Sequence, residues 1–413
     1  MAIQFIQQLA VDEATGALYN AVTEQPFLAG ITTAQIAAVQ ALVSRAGNAD
    51  VRASLPVWKA AVKRVFRGTG RGRLLILGDS TAAGAGSSNS TSLWTNSWAN
   101  SVSSRLATAL TAKGIPCSNN SLTTWQNIST GTYPAFDPRV ALTGSPLPQA
   151  LAAGASGNGL GGAGLWQVAV GTGKIAFTPV SQVDTFLLFT PRLASLTGTM
   201  TWDVNGGAPT GSLLQTGANA LITTMLSPSL AANTLNLTNP ASAATAFMSA
   251  VISYNSTVPA IDIINAGCSS LLADALDRND SPYASATAIG FIAPDLTIIF
   301  GIPINDANAV TNPATFAAQM QTVITACKAS GDVVIFAGVE SSTAAYPSSN
   351  RADLLAQFQA LAVTNSCVYM TPDTYIGGWT ANDAAGLMYD NLHPTGNGYQ
   401  RLAGMLAEAL NGG

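Results

Sequence analysis

The chain has 413 residues, 48% hydrophobic and only 9% charged, with 17 Lys plus Arg against 21 Asp plus Glu and a formal net charge of −4. That balance describes a tightly folded, weakly charged protein and excludes a disordered one. With no Lys/Arg cluster it excludes a nucleic-acid backbone as partner, and with no apolar run near the roughly 20 residues of a bilayer-spanning helix it excludes membrane insertion.

The first eight residues lack a basic stretch followed by an apolar core and a small-residue cleavage site, so no standard signal peptide is expected. Residues 1–69 read as a helical N-terminal segment. The run 33–45 places Ile36, Val39, Leu42 and Val43 on one face, and 57–66 repeats the pattern before a break at Gly68-Thr69-Gly70. Packing on the rest of the chain, oligomerisation and attachment to a larger body are the roles open to this segment.

From Arg73 the pattern changes to short Val/Ile/Leu-rich runs separated by helical stretches, as in a parallel sheet buried on both faces. Strands are expected at 74–77, 260–265, 296–300, 333–337 and 368–370. Helices are expected at 98–113, 271–277, 313–329, 352–363 and 395–410. This is an α/β fold: an open parallel five-stranded sheet sandwiched by helices. Between 118 and 257 the alternation stops, and Gly, Thr, Ser and Asn rise. Strand-like pieces at 185–189, 199–204 and 235–237 are spaced by turns such as Asn205-Gly206-Gly207, which reads as an inserted β-sandwich. The segments are therefore 1–69, a first part of the α/β unit at 70–117, the β-rich insertion at 118–257 and a second α/β part at 258–413.

Two segments carry chemistry. Gly78-Asp79-Ser80-Thr81 follows the first strand, which puts the Ser80 hydroxyl at the carboxyl end of a sheet strand, where open α/β sheets hold their ligands. On its own this tripeptide is an ordinary turn and N-cap pattern. The weighting changes at Asp390-Asn391-Leu392-His393-Pro394, which contains the only histidine of the chain. Asp390 precedes His393 by three residues, so a short turn brings its carboxylate to the imidazole, and Pro394 suits the first turn of a closing helix. A nucleophile, a base and an orienting acid point to a serine hydrolase.

Gly267 and Asn305 stand at the carboxyl ends of two further strands and complete an oxyanion hole, Gly267 through its N–H and Asn305 through its amide, together with the Ser80 N–H. Trp94, Trp98 and Trp125 can stack on sugar rings, and Trp379 and Tyr389 beside the histidine segment can line the acyl or leaving-group side of the site, although aromatic residues near helix starts more often anchor a core. Asp79 reads as a turn stabiliser and Asp306 as a support for Asn305. The Gly-rich stretch 154–164 lacks the strand-to-helix setting of a phosphate loop. Four widely spaced cysteines without a CxxC pair read as buried thiols, with one disulfide left open and zinc poorly supported.

The order Ser80, Gly267, Asn305, His393 resembles that of the SGNH hydrolases, or GDSL-type esterases, over residues 72–117 and 258–413. The first block reads Gly-Asp-Ser-Thr where the family name implies Gly-Asp-Ser-Leu, a departure that leaves the nucleophile in place. The resemblance implies a flavodoxin-like fold and ester hydrolysis through an acyl-enzyme. Ser80 is then the nucleophile, His393 the base, Asp390 its acid, and Gly267 and Asn305 oxyanion donors, with no metal or organic cofactor. The insertion resembles the β-rich insertions of bacterial and phage-associated members that act on acetylated glycans. The expected substrate is therefore a small acyl ester or an acetylated glycan, in the cytoplasm or outside the cell by a non-standard route such as a phage particle. Two rivals stand beside this reading: a lipid or aryl esterase or acyltransferase that uses the same residues, and a glycan-binding attachment protein whose hydrolase unit is vestigial.

Overall fold

Four consecutive apolar residues, Leu74 to Leu77, are each fully buried, as a strand covered on both faces requires. They lie in β1 (Gly72–Gly78) of the computed structural model. The structure describes residues 9–11, 18–20 and 55–411, apart from 89–91, 124–132, 145–146, 150–158, 163–164, 169–170, 172, 197, 241–245, 339, 343–349 and 374–376. The sheet also contains β2 (Cys117–Ser118), β3 (Ile261–Gly267), β4 (Leu296–Phe300), β5 (Asp332–Phe336) and β6 (Val368–Met370). Its order is β6-β5-β4-β1-β3-β2 and every pairing is parallel. The open parallel α/β sheet is as expected, with six strands instead of five. The additional strand is a two-residue edge beside Ile261 and Asp262, too short to leave a hydrophobic pattern.

The chain divides into two compact units, residues 1–53 and 54–413. In the first, Leu9–Val11 pairs antiparallel with Leu18–Asn20, so a helical reading does not hold for these residues. Three-residue strands carry no period by which a sequence could announce them. The helix expected at 33–45 and Trp125 lie outside the described residues, as does 154–158 of the Gly-rich stretch.

The second unit opens with α1 (Pro56–Phe66), which has proline in its first turn and buries Trp58, Ala61 and Val65 on one stripe. Trp58 donates its backbone N–H to Asp332 Oδ2 at 2.9 Å and its indole N–H to Leu410 O at 3.0 Å, tying α1 to the start of β5 and to the C-terminal helix. The remaining helices used below are α2 (Ser80–Ala83), α3 (Val102–Ala112), α4 (Ile304–Asn308), α5 (Pro313–Lys328), α6 (Arg351–Thr364) and α7 (Gly396–Asn411). One sheet face packs Leu75, Leu77, Ile299 and Ile335 on Phe316 and Met320 of α5 and Phe358 of α6. On the other side, α3 packs on α7 and on β3, and α1 on β1.

The β-rich segment forms two antiparallel sheets of four and five strands and a smaller one of three. Its strand Thr185–Arg192 shows how it joins the rest. Phe186 and Leu188 enter a core with Phe177, Met200 and Leu237 of the five-stranded sheet. Leu187 and Phe189 point the other way, into the core of the α/β sheet with Leu75 and Ile264. Alternate side chains of one strand thus serve two cores, and the strand is buried along nearly its whole length.

Candidate active site

At the end of β1 the chain turns sharply because Asp79 caps α2: its Oδ1 accepts Thr81 N at 2.8 Å and Thr81 Oγ1 at 2.5 Å. Ser80 becomes the first helical residue, with an N–H that has no intrahelical acceptor. It stands at the carboxyl end of the central strand, between β3 and β4, where the strand order reverses. Gly301, directly after β4, permits this packing. It holds φ +87°, and a Cβ there would lie 2.3 Å from both Asp79 Oδ1 and Thr81 Oγ1. Asp79 is fully buried. Burial raises its carboxyl above the ordinary range, against the hydrogen bonds of Thr81 and the charge of His393, which act to lower it.

The histidine segment is a turn built on one carboxylate. Asp390 Oδ1 accepts Leu392 N at 2.7 Å and His393 N at 2.6 Å, and Tyr389 N donates to His393 O at 2.8 Å. Trp379 Nε1 donates to Asp390 O at 3.3 Å, bracing the turn from outside. This leaves Asp390 Oδ2 2.9 Å from His393 Nδ1, and His393 Nε2 2.9 Å from Ser80 Oγ. Tyr399 of α7 donates to Ala85 O at 2.9 Å, fixing the helix after the turn to the loop after α2.

The relay runs from buried to open. Ser80 and His393 are 5% and 8% exposed, whereas the Asp390 side chain is 39% exposed. Burial acts to raise the Asp390 carboxyl, yet the hydrogen bond and charge of His393 and the two turn amides hold it below the ordinary carboxylate range.

The two expected oxyanion donors behave differently from each other. Gly267 N–H donates to Asn265 Oδ1 at 2.9 Å and is not available to a substrate. Gly267 is needed for space instead, since a Cβ there would lie 2.3 Å from Ala83 N and push α2 off β3. Asn305 Nδ2 donates to Leu271 O at 3.0 Å, but a carboxamide nitrogen carries two hydrogens and the second remains. Asp306 Oδ2 accepts Ala273 N at 3.2 Å, so neighbouring residues of α4 hold both sides of the 271–273 segment. Cys268 N, at the other end of this loop, donates to Gly78 O at 2.8 Å. Between these anchors Ser270 is exposed and sits at φ +58°, a left-handed geometry that a serine adopts only where the chain path demands it.

No protein-family model matches the chain, and no curated protein matches it in sequence. Solved structures do match: a peptidoglycan O-acetylesterase superposes with a TM-score of 0.62, over 86% of this chain and 95% of its own, at 16% identity. The chain shares the fold of that structure, an open parallel α/β sandwich of the flavodoxin-like kind. A family two carbohydrate esterase from Cellvibrio japonicus is 10% identical, with 71% of this chain and 98% of its own covered at a TM-score of 0.28. A lipase/acylhydrolase from Enterococcus faecalis is 22% identical, with 37% and 77% covered at a TM-score of 0.29. Superpositions that low establish no common fold.

Within this fold, Ser80, Asn305 and His393 come from the end of β1, the helix after β4 and the turn before α7. Sequence reading missed the bracing of Asp390 by Trp379, which depends on a contact across 11 residues. Among the described residues, no group of three or more His, Cys, Asp or Glu side chains could hold a metal ion, and no disulfide joins the cysteines. Burial pushes the Cys117 and Cys327 thiols up to about 12 and that of Cys367 to about 11, which leaves them protonated at neutral pH. No described helix is long and apolar enough to cross a membrane.

Proposed function

We propose that this protein is a serine esterase of the SGNH hydrolase family that removes short acyl groups, acetyl foremost, from carbohydrate. The observation that carries the reading is the unbroken relay of Ser80 Oγ, His393 and Asp390, with 2.9 Å on either side of the imidazole. In acylation Ser80 Oγ attacks the ester carbonyl carbon and its proton passes to His393 Nε2. Asp390 Oδ2 holds the Nδ1–H, which keeps Nε2 free to accept and stabilises the imidazolium. The tetrahedral oxyanion takes hydrogen bonds from Ser80 N–H and the second Asn305 amide hydrogen. The ester bond to the alcohol then breaks, the leaving oxygen takes the proton from Nε2, and water repeats the sequence to release the acid.

The choice of carbohydrate rests on the SGNH fold shared with a peptidoglycan O-acetylesterase. In this reading, 70–117 and 258–413 make up the hydrolase and 118–257 is an insertion that builds substrate-facing walls onto it. The test is p-nitrophenyl acetate hydrolysis by the wild type, Ser80→Ala and His393→Ala. Both variants are expected to lose about 10³-fold or more in kcat; equal rates for all three contradict the relay. A wild type that turns over octanoyl faster than acetyl esters moves the reading to a lipid esterase.

A further inference from the structure

A groove of about 690 Å³ lies away from Ser80, between α3 and the loops at 180–182 and 255–258, within the ~300–1,000 Å³ range of small-molecule sites. It begins beside Arg71 and Ala260, at the amino ends of β1 and β3, follows Thr108 and Ser104 along α3 and reaches Trp98. Trp98 also lines a small cavity with Ala83, Asn265 and Gly267, directly under the helix that carries Ser80. The groove therefore points toward the reactive end of the sheet.

Its walls are held in place. Arg71 binds both oxygens of Asp262 and also donates to Asn255 O at 3.0 Å and to Val258 O, fixing the 255–258 loop to β3. On the facing side Asn120 Oδ1 accepts Val180 N at 3.1 Å, and Asn120 Nδ2 donates to Ser181 Oγ at 2.6 Å. The Trp98 ring lies 3.6 Å from the Arg139 guanidinium, which is held in turn by Asp137, Asn119 O and Ser121 O.

The chemistry of the lining selects a ligand class. Arg71 is the only charged side chain in the groove, and Asp262 neutralises it, so nothing there attracts an anion or a cation. Half of the lining residues carry a hydroxyl or a carboxamide, and between them stand Trp98 and two exposed apolar lips, Val180 at 68% and Val258 at 50% exposure. Donors and acceptors interleaved with apolar faces match a ligand that alternates hydroxyl edges with C–H faces.

We propose that this groove binds an uncharged stretch of glycan chain and so holds a polymeric substrate while its ester reaches Ser80. The proposal rests on the esterase reading above and adds a subsite to it. Thr108 is exposed on the groove face of α3, so Thr108→Trp fills the groove without touching the core or the relay. The substrates for the test are p-nitrophenyl acetate, a monoacetylated monosaccharide, and acetylated tetrasaccharides of xylose and of N-acetylhexosamine.

The wild type should prefer at least one tetrasaccharide to the monosaccharide. In Thr108→Trp, KM for that tetrasaccharide should rise by about tenfold or more, with p-nitrophenyl acetate and monosaccharide turnover unchanged. Gln182→Ala, which removes one exposed carboxamide from the opposite wall, should shift KM in the same direction. A wild type that hydrolyses p-nitrophenyl acetate but shows no preference for a tetrasaccharide, or a Thr108→Trp variant that keeps the preference intact, overturns the groove and leaves the esterase standing. Competition by an uncharged extended peptide but not by unacetylated oligosaccharide assigns the groove to a peptide and also overturns it.

Discussion

Asp390 does two things with one carboxylate: Oδ1 closes the turn on two backbone amides, and Oδ2 holds the imidazole. Asp390→Asn separates them, because an asparagine oxygen can keep the turn while its NH₂ cannot accept the Nδ1–H. The variant should fold normally and lose about 10²–10⁴-fold in kcat, with KM for p-nitrophenyl acetate little changed; a kcat near wild type contradicts the orienting role. The depressed carboxyl of Asp390 has a second consequence. A group whose folded value lies below its unfolded value of about 3.9 stabilises the fold above that pH, and this stabilisation is lost as pH falls through the lower folded value. At this scale the sequence was readable where residue type alone dictates chemistry. A sole histidine with Asp390 three residues before it admits few arrangements, whereas Gly267 shows that a glycine at a strand end can serve packing as readily as an oxyanion.

Helix α4 is the element whose docking the site depends on, since Asn305 and Asp306 reach the same loop from adjacent positions. Asp306 is buried, and desolvation raises its carboxyl to about 6 against the hydrogen bonds from Ala273 and Thr311. A raised carboxyl binds its proton more tightly folded than unfolded. Its contribution to stability is therefore present below the ordinary carboxylate value and declines as pH rises to about 6, beyond which it is flat. Asp306→Asn keeps an oxygen acceptor without the charge. Relative to wild type it should gain stability between pH 4 and pH 7, by roughly 1–3 kcal/mol at the upper end. Denaturant unfolding at the two pH values checks this, and a constant difference between the proteins contradicts it. The strand at 296–300 was legible to the residue because a parallel strand buried at every position reads as a nearly continuous apolar run, and that at 368–370 because two of its three side chains are buried and apolar. The two-residue edge β2 and the ladder at 9–11 and 18–20 were not, because strands of two or three residues have no period to read.

For the whole molecule, the shared core matters more than the division into segments. Sequence reading recognised the β-rich insertion by its composition, but the double burial of Thr185–Arg192, with Leu187 and Phe189 on the α/β core, depends on contacts across about a hundred residues of chain that no local pattern encodes. Phe189→Ala should destabilise the unit from Ser54 onward by about 3–5 kcal/mol, with the insertion and the hydrolase unfolding in one calorimetric transition. Two separate transitions contradict a common core. The relay of Ser80, His393 and Asp390 is the central claim, and its most direct test is to find the acyl group. Acid quenching during p-nitrophenyl acetate turnover, followed by peptide mass spectrometry, should locate one acetyl group on Ser80 in the wild type and none in Ser80→Ala. Continued hydrolysis with no acetyl on Ser80, or with acetyl on another residue, contradicts the account.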